Sequence, residues 1–167
     1  MNKPIIFVLN GSGGCGKDTF VSLCKDVTDK KIWHTSTVDL IKSAALLLGW
    51  NGEKTETSRK FLSDLKDLCT KAFDTSFRYI EDEISEAKTL NIDYVFIDCR
   101  EPQEIKRICD AFDAKSIYID ASKRVPFITS NHADAEVENY DYDFYIDNNG
   151  TLDQLKEKAK IIMTKEF

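Results

Sequence analysis

The chain has 167 residues, enough for one domain with its own core, and it carries no internal repeat or low-complexity tract. Apolar residues make up 42% and charged residues 31%, an ordinary globular balance, and a formal charge of −6 argues against a general nucleic-acid binder, which needs a basic face. The cysteines (Cys15, Cys24, Cys69, Cys99 and Cys109) show no C-x-x-C spacing, so they suggest neither a zinc site nor a disulfide framework and read as reduced thiols of a cytoplasmic protein.

Residues 5–9 are an unbroken apolar run, as expected of a central parallel strand covered on both faces, and the run is too short for a signal peptide or a membrane span. Residues 10–20 follow as NGSGGCGKDTF and lead into a helix expected over 17–27, with Phe20, Val21, Leu23, Cys24 and Val27 on one stripe. Gly11, Gly16 and Lys17 fit G-x4-G-K, the front of a phosphate-binding loop. Glycines let the backbone turn tightly and aim N–H groups at phosphate oxygens, and the following helix adds the positive end of its dipole. Lys17 supplies a mobile charge for the outer phosphates. The candidate nucleotide-binding residues are therefore Gly11, Ser12, Gly13, Gly14, Cys15, Gly16, Lys17, Asp18 and Thr19.

The same glycines also read G-x-G-x-x-G, a dinucleotide fingerprint. That site needs an acidic residue at the end of the second strand, expected at 32–35, where Ser36 and Thr37 follow instead. Lys17 would also be unexplained by it, so the phosphate loop is preferred, and a Gly-rich turn without a ligand is the remaining alternative. Asp18 stands where Ser or Thr is usual. A carboxylate beside phosphates is repulsive unless a cation lies between them, so Asp18 is expected near Mg²⁺ or a Mg²⁺-bound water.

A second helix is expected over about 38–48, ending at Gly49. After the turn-rich residues 50–54, Thr57 or Ser58 is expected to open a long helix with Phe61, Leu62, Leu65, Leu68, Cys69, Ala72 and Phe73 at helical spacing. Residues 74–76 break it, and Phe77, Ile80, Ile84 and Ala87 mark another helix ending near 90–91. One crossover of a simple α/β sheet holds one helix, so residues 53–90 read as an insertion, of the kind that holds the acceptor in phosphoryl-transfer enzymes.

Strands are expected at 94–97, 116–119 and 144–146, with a helix from Pro102 through Phe112 and a last helix capped by Thr151. Strand alternating with helix implies a mainly parallel five-stranded sheet with helices on both faces, whose ligands bind beyond the carboxyl ends of the strands. Asp98, at the end of the third strand, has the position of a Walker B carboxylate and a second Mg²⁺ contact; a plain strand-terminating Asp is the alternative. Arg100 could grip an acceptor phosphate with its planar fork or pair with Glu101 or Glu104. Asp39 and Lys42 are weaker acceptor contacts. Residues 121–142 are polar and long for a connector, and there Arg124 could reach the transferring phosphoryl. Asp134, Glu136, Glu138, Asp141 and Asp143 make this lid-like segment acidic. His132 is a lone loop histidine, and His34 reads as structural.

The stretch from Gly16 to Thr19 (GKDT), with Asp98, Arg100, Pro102 and Glu104 in register, resembles the deoxynucleoside monophosphate kinases of bacteriophage and bacteria, which carry G-K-D-T and D-V-R-F-P-N-E. Residues 38–44 and 142–152 are similar to that family's acceptor-side helix start and final strand and turn. The loop and the D-x-R element also resemble those of animal-type phosphomevalonate kinases. The resemblance implies one three-layer P-loop NTPase domain of nucleotide-kinase type spanning 1–167, and ATP- and Mg²⁺-dependent transfer to a small phosphorylated acceptor. Lys17, Asp98 and Arg124 would be catalytic, and Asp39, Lys42 and Arg100 would bind the acceptor. Asp18 and Asp98 would hold the metal. The expected partners are a nucleotide and a small phosphorylated substrate, with no nucleic acid and no membrane, in a monomer or homodimer. A kinase for a non-nucleotide metabolite and a nucleotide sensor that transfers nothing are the competing readings.

Overall fold

The structure is a computed structural model that describes residues 3–125 and 140–166. Its elements are β1 (Ile5–Asn10), α1 (Lys17–Asp26), β2 (Ile32–Ser36), α2 (Asp39–Leu47), α3 (Glu56–Phe73), α4 (Thr75–Thr89), β3 (Tyr94–Asp98), α5 (Pro102–Phe112), β4 (Lys115–Asp120), β5 (Phe144–Asp147) and α6 (Leu152–Thr164). The strands form one sheet in the order β2-β3-β1-β4-β5, and every pairing in it is parallel.

Alternation along the central strands divides the core into two faces. Phe7 and Leu9 of β1, with Tyr94, Phe96, Ile117, Ile119 and Ile146, pack beneath Phe20, Val21 and Cys24 of α1 and Leu155, Ala159 and Ile162 of α6. Ile6, Val8, Val95 and Ile97 turn the other way, against Phe77, Ile80 and Ile84 of α4 and Ile105 and Ile108 of α5. This is a three-layer α/β sandwich of helices. Because β1 leads to one edge of the sheet and β3 leads back past β1 to β4, a crevice opens between the carboxyl ends of β1 and β3.

The helix ends follow local chemistry. Thr151 and Gln154 form a reciprocal capping box at α6, and Pro102 sits in the first turn of α5. The inserted helix α3 starts earlier than the expected Thr57 or Ser58, because Thr55 caps it by accepting the Ser58 N–H at 3.1 Å. The break expected over 74–76 is one residue long. Asp74 takes a left-handed conformation (φ 54°), ends α3 and starts α4, and is held there by two hydrogen bonds from Arg107, at 2.7 and 2.6 Å.

The apolar stripe expected on α3 does not become core. Lys66 is the buried residue of that helix, whereas Leu68 and Phe73 are 66% and 68% exposed. Helical spacing marks a face but not what covers it, and α3 lies against α2 and α4 rather than the sheet.

Residues 126–139, with most of the lid-like segment and His132, Asp134, Glu136 and Glu138, lie outside the described residues. Two residues at its C-terminal flank belong to the body of the fold. Tyr142 is buried in a cluster with Tyr118, Tyr140 and Tyr145. Asp143 is no lid carboxylate, because it accepts the Ser116 N–H and hydroxyl at 2.7 and 2.8 Å.

Candidate functional site

The loop between β1 and α1 is pinned from below. Asn10 accepts the Gly11 N–H at 2.7 Å and donates to the Tyr142 hydroxyl at 2.7 Å and the Arg100 carbonyl at 3.1 Å. Cys15 N–H closes a turn on the Ser12 carbonyl at 3.1 Å. Gly16 caps α1 in the left-handed region (φ 98°), where a side chain would also strike Asn148. Lys17, the first helical residue, donates to the Gly11 carbonyl at 3.0 Å, so its ammonium lies over the loop's mouth. Asp18 and Thr19 are exposed on the first turn.

Parallel register brings the next strand ends to the same rim. Asp98 pairs with Leu9 on one side and Ser36 on the other. Its carbonyl accepts the Thr37 N–H at 3.1 Å and the Ser36 and Thr37 hydroxyls at 3.3 and 3.4 Å. Its carboxylate points to the α1 face, where His34 Nε2 stands 3.3 Å from Oδ1. That contact is not a hydrogen bond, and Oδ1 is buried without a donor among the described residues. A buried carboxylate oxygen without a donor is costly.

Asp18, His34 and Asp98 each bring one ligand atom to within 4.8 Å of the others. Neighbouring ligands about 2.1 Å from an octahedral cation stand about 3.0 Å apart, a little under the 3.3 Å between His34 Nε2 and Asp98 Oδ1. The donor set therefore fits a divalent cation, for which the two carboxylates are the harder ligands. His34 reads as structural in the sequence, yet it stands beside these carboxylates. The signal was parity: His34 and Ser36 point to one face of β2, and Ser36 pairs with Asp98.

The same three residues, with Thr35, Ser36, Asp39 and Lys42, line a cavity of about 160 Å³. Asp39 and Lys42 pair with each other at 3.2 Å on the first turn of α2. Arg100 lies on the other side of Asp98, where its Nη2 is 3.8 Å from the position of a Cβ on Gly13. Its guanidinium thus stands against the loop between β1 and α1 rather than in the cavity of Asp39 and Lys42.

Arg124 is further along the rim. Its Nε donates to the Asn148 carbonyl at 2.6 Å, and the Asn148 side chain in turn donates to the Cys15 carbonyl at 2.8 Å. Asn148 thus joins Arg124 to the loop between β1 and α1. Asp120, at the end of β4, accepts from Ser122 N–H and Asn149 Nδ2, both at 2.9 Å. Burial pushes its carboxyl up, but these bonds outweigh it and hold it below the ordinary range, so it shapes the turn below Arg124.

No family model matches the chain, and no curated protein matches it. Among solved structures, it is similar to TT1252 of Thermus thermophilus (15% identity, 97% of each chain, TM-score 0.56). It is also similar to a candidate kinase of Chloroflexus aurantiacus j-10-fl (10% identity, 98% of this chain and 97% of that one, TM-score 0.54). The shikimate kinase of Aquifex aeolicus vf5 follows at 11% identity, 95% of each chain and TM-score 0.49. At such identities the likeness concerns the fold alone, a three-layer α/β fold with a parallel five-stranded sheet and a helical insertion after the second strand.

Proposed function

We propose that the chain is an ATP-dependent kinase that moves the γ-phosphoryl to a small phosphorylated acceptor, most simply a nucleoside or deoxynucleoside monophosphate. What carries the reading is the meeting on one rim of the phosphate loop with Lys17, the donor-less Oδ1 of Asp98 beside His34, and Arg100 against Gly13. Phosphoryl transfer is mostly positioning and charge stabilisation, so these are the parts it requires.

In this reading the loop amides and Lys17 bind the donor phosphates, and Arg100 and Arg124 bring positive charge to the transferring group. Asp18 and Asp98, whose oxygens suit a hard cation, would hold Mg²⁺, which would supply charge neutralisation between the donor phosphates, with His34 beside Asp98. The chain acts as one domain, in which the insertion over 53–90, beyond α2 with Asp39 and Lys42, is the acceptor side. Among the described residues no helix is long and apolar enough to cross a membrane.

The size and lining of the cavity favour a second acceptor class. About 160 Å³ is below the ~300–1,000 Å³ usual for small-molecule pockets, and among the described residues its lining holds no Phe, Tyr or Trp, only the imidazole of His34, on which a base could stack. A compact, non-nucleotide phosphorylated metabolite fits that space better than a nucleobase does. A coupled ADP-release screen over nucleoside monophosphates and other phosphorylated acceptors tests both. Turnover with a nucleotide supports the first, and turnover with another acceptor alone supports the second. Nucleotide binding without turnover on any acceptor would leave a sensor and overturn the kinase reading.

A further inference from the structure

Lys66 is the buried side chain of α3, 8% exposed, in a helix whose Leu68 and Phe73 face solvent. Its Nζ lies 2.5 Å from Glu101 Oε1 and 3.5 Å from Glu104 Oε2. A buried ammonium is costly unless closely paired, and an apolar residue would serve helix packing as well. Burial works to strip its proton, but the facing carboxylates outweigh that and keep it charged.

The pair reaches toward the phosphate loop. Glu101 is the N-cap residue of α5 and follows Arg100 in the chain. Glu101 Oε2 is buried with no hydrogen bond, so the Lys66 contact on Oε1 is what anchors this carboxylate. Asn10 holds the Arg100 carbonyl from the β1 side. The loop between Asp98 and Pro102 is thus gripped at one end by the strand that leads into the phosphate loop and at the other by the insertion. Lys66 itself lines neither the cavity nor the loop.

We propose that Lys66 is a positioning residue: by holding Glu101 and Glu104 it sets Arg100 against Gly13, and so links the packing of the helical insertion to anion binding at residues 11–17. The inference rests on the reading of that loop and Arg100 as a phosphate site. Coupling of this kind is reciprocal, so an anion on the loop should also steady α3.

The test is a calorimetric titration of inorganic tripolyphosphate into the full chain and into Arg100→Gln, Lys66→Met and the double variant. Losing a hydrogen bond to a charged group should weaken binding about tenfold or more in Arg100→Gln. Lys66→Met should weaken it by a comparable factor, and the double variant should bind no more weakly than Arg100→Gln alone, because Lys66 acts through Arg100. Should Lys66→Met fail to fold, Lys66→Met/Glu101→Gln, which removes the ammonium together with its nearest partner, reads the same coupling. Additive losses would overturn the proposal, as would wild-type binding by both Lys66 variants while Arg100→Gln is weakened. Wild-type affinity in Arg100→Gln would instead remove Arg100 from the phosphate site, and the role of Lys66 with it.

Discussion

Asn148 occupies the space that a side chain on Gly16 would need. Its Nδ2 stands 2.5 Å from the position of a Gly16 Cβ and donates to the Cys15 carbonyl at 2.8 Å. Gly16 also sits at φ 98°, which costs an L residue about 1–2 kcal/mol before any clash. Gly16→Ala should therefore lower the melting temperature and abolish measurable ATP binding together. Asn148→Ala should cost about 1–3 kcal/mol, since it leaves the Cys15 carbonyl without its donor. Urea unfolding and nucleotide titration read both, and an unaltered Gly16→Ala protein would mean that the loop is not built as described.

Lys17 makes a different demand. Its contact with the Gly11 carbonyl is half-buried, so the fold owes it little. Lys17→Met should melt within a few degrees of the wild type, yet lose about 10²–10³ in turnover, the usual cost of one well-placed donor in such sites. Comparing kcat and thermal unfolding on the same preparation separates these effects. Full activity in Lys17→Met would sink the kinase reading.

The order of strands and helices, the glycine-rich turn between β1 and α1 and the place of Asp98 at a strand end could be read from the sequence because each has a local signature. These are an apolar run, fixed glycine spacing before a helix, and a carboxylate at a strand end. His34, Asn148 and Lys66 could not, because their meaning comes from partners far along the chain. His34 needs the register of β2 on β3 to meet Asp98. Asn148 reaches Cys15 across 133 positions, and Lys66 reaches Glu101 across 35. The α3 stripe misled for the same reason: periodicity gives a face without saying whether the sheet lies under it. Lys42 and Arg100 are both acceptor-contact candidates in the sequence, and the fold puts Lys42 in the cavity and Arg100 against Gly13.

His34 should report on cation binding directly. If it joins Asp18 and Asp98 around one ion, Mn²⁺ will bind the nucleotide-free protein, and His34→Gln will weaken that binding by about 10–100-fold, the scale on which shell residues tune metal sites. Electron paramagnetic resonance of free Mn²⁺ during a titration measures it without any turnover. Equal affinity in His34→Gln would restrict His34 to orienting Asp98.

Two carboxylates should pull stability in opposite directions with pH. The Arg107 hydrogen bonds, above all, hold Asp74 below its ordinary value of 3.8. Its contribution is therefore present above that value and fades as pH falls through the depressed pKa. Burial pushes Glu104 above its ordinary value of 4.5, against the pull of Lys66. The folded state keeps that proton longer, so its contribution is full below 4.5 and declines as pH rises through the folded value. In denaturant midpoints measured across pH, Asp74→Asn should flatten the acid limb and Glu104→Gln the decline above 4.5. An acid limb as steep in Asp74→Asn as in the wild type would assign acid sensitivity to other groups.

The exposed apolar face of the insertion separates a helix that merely looks amphipathic from one that builds the core. Phe73 is 68% exposed and Leu68 66%, whereas Ile80, on the adjacent helix α4, is fully buried against the sheet. Burial decides the cost of truncation far more than residue type does. Ile80→Ala should lose about 2–5 kcal/mol of unfolding free energy. Leu68→Lys should change it by no more than about 0.5 kcal/mol, as for other surface positions. Urea denaturation at several protein concentrations measures both. A large, concentration-dependent loss in Leu68→Lys would mean that a second copy of the chain covers this face in solution. An unchanged stability would leave α3 tied to the rest of the molecule mainly by Lys66 and its neighbours on α2 and α4.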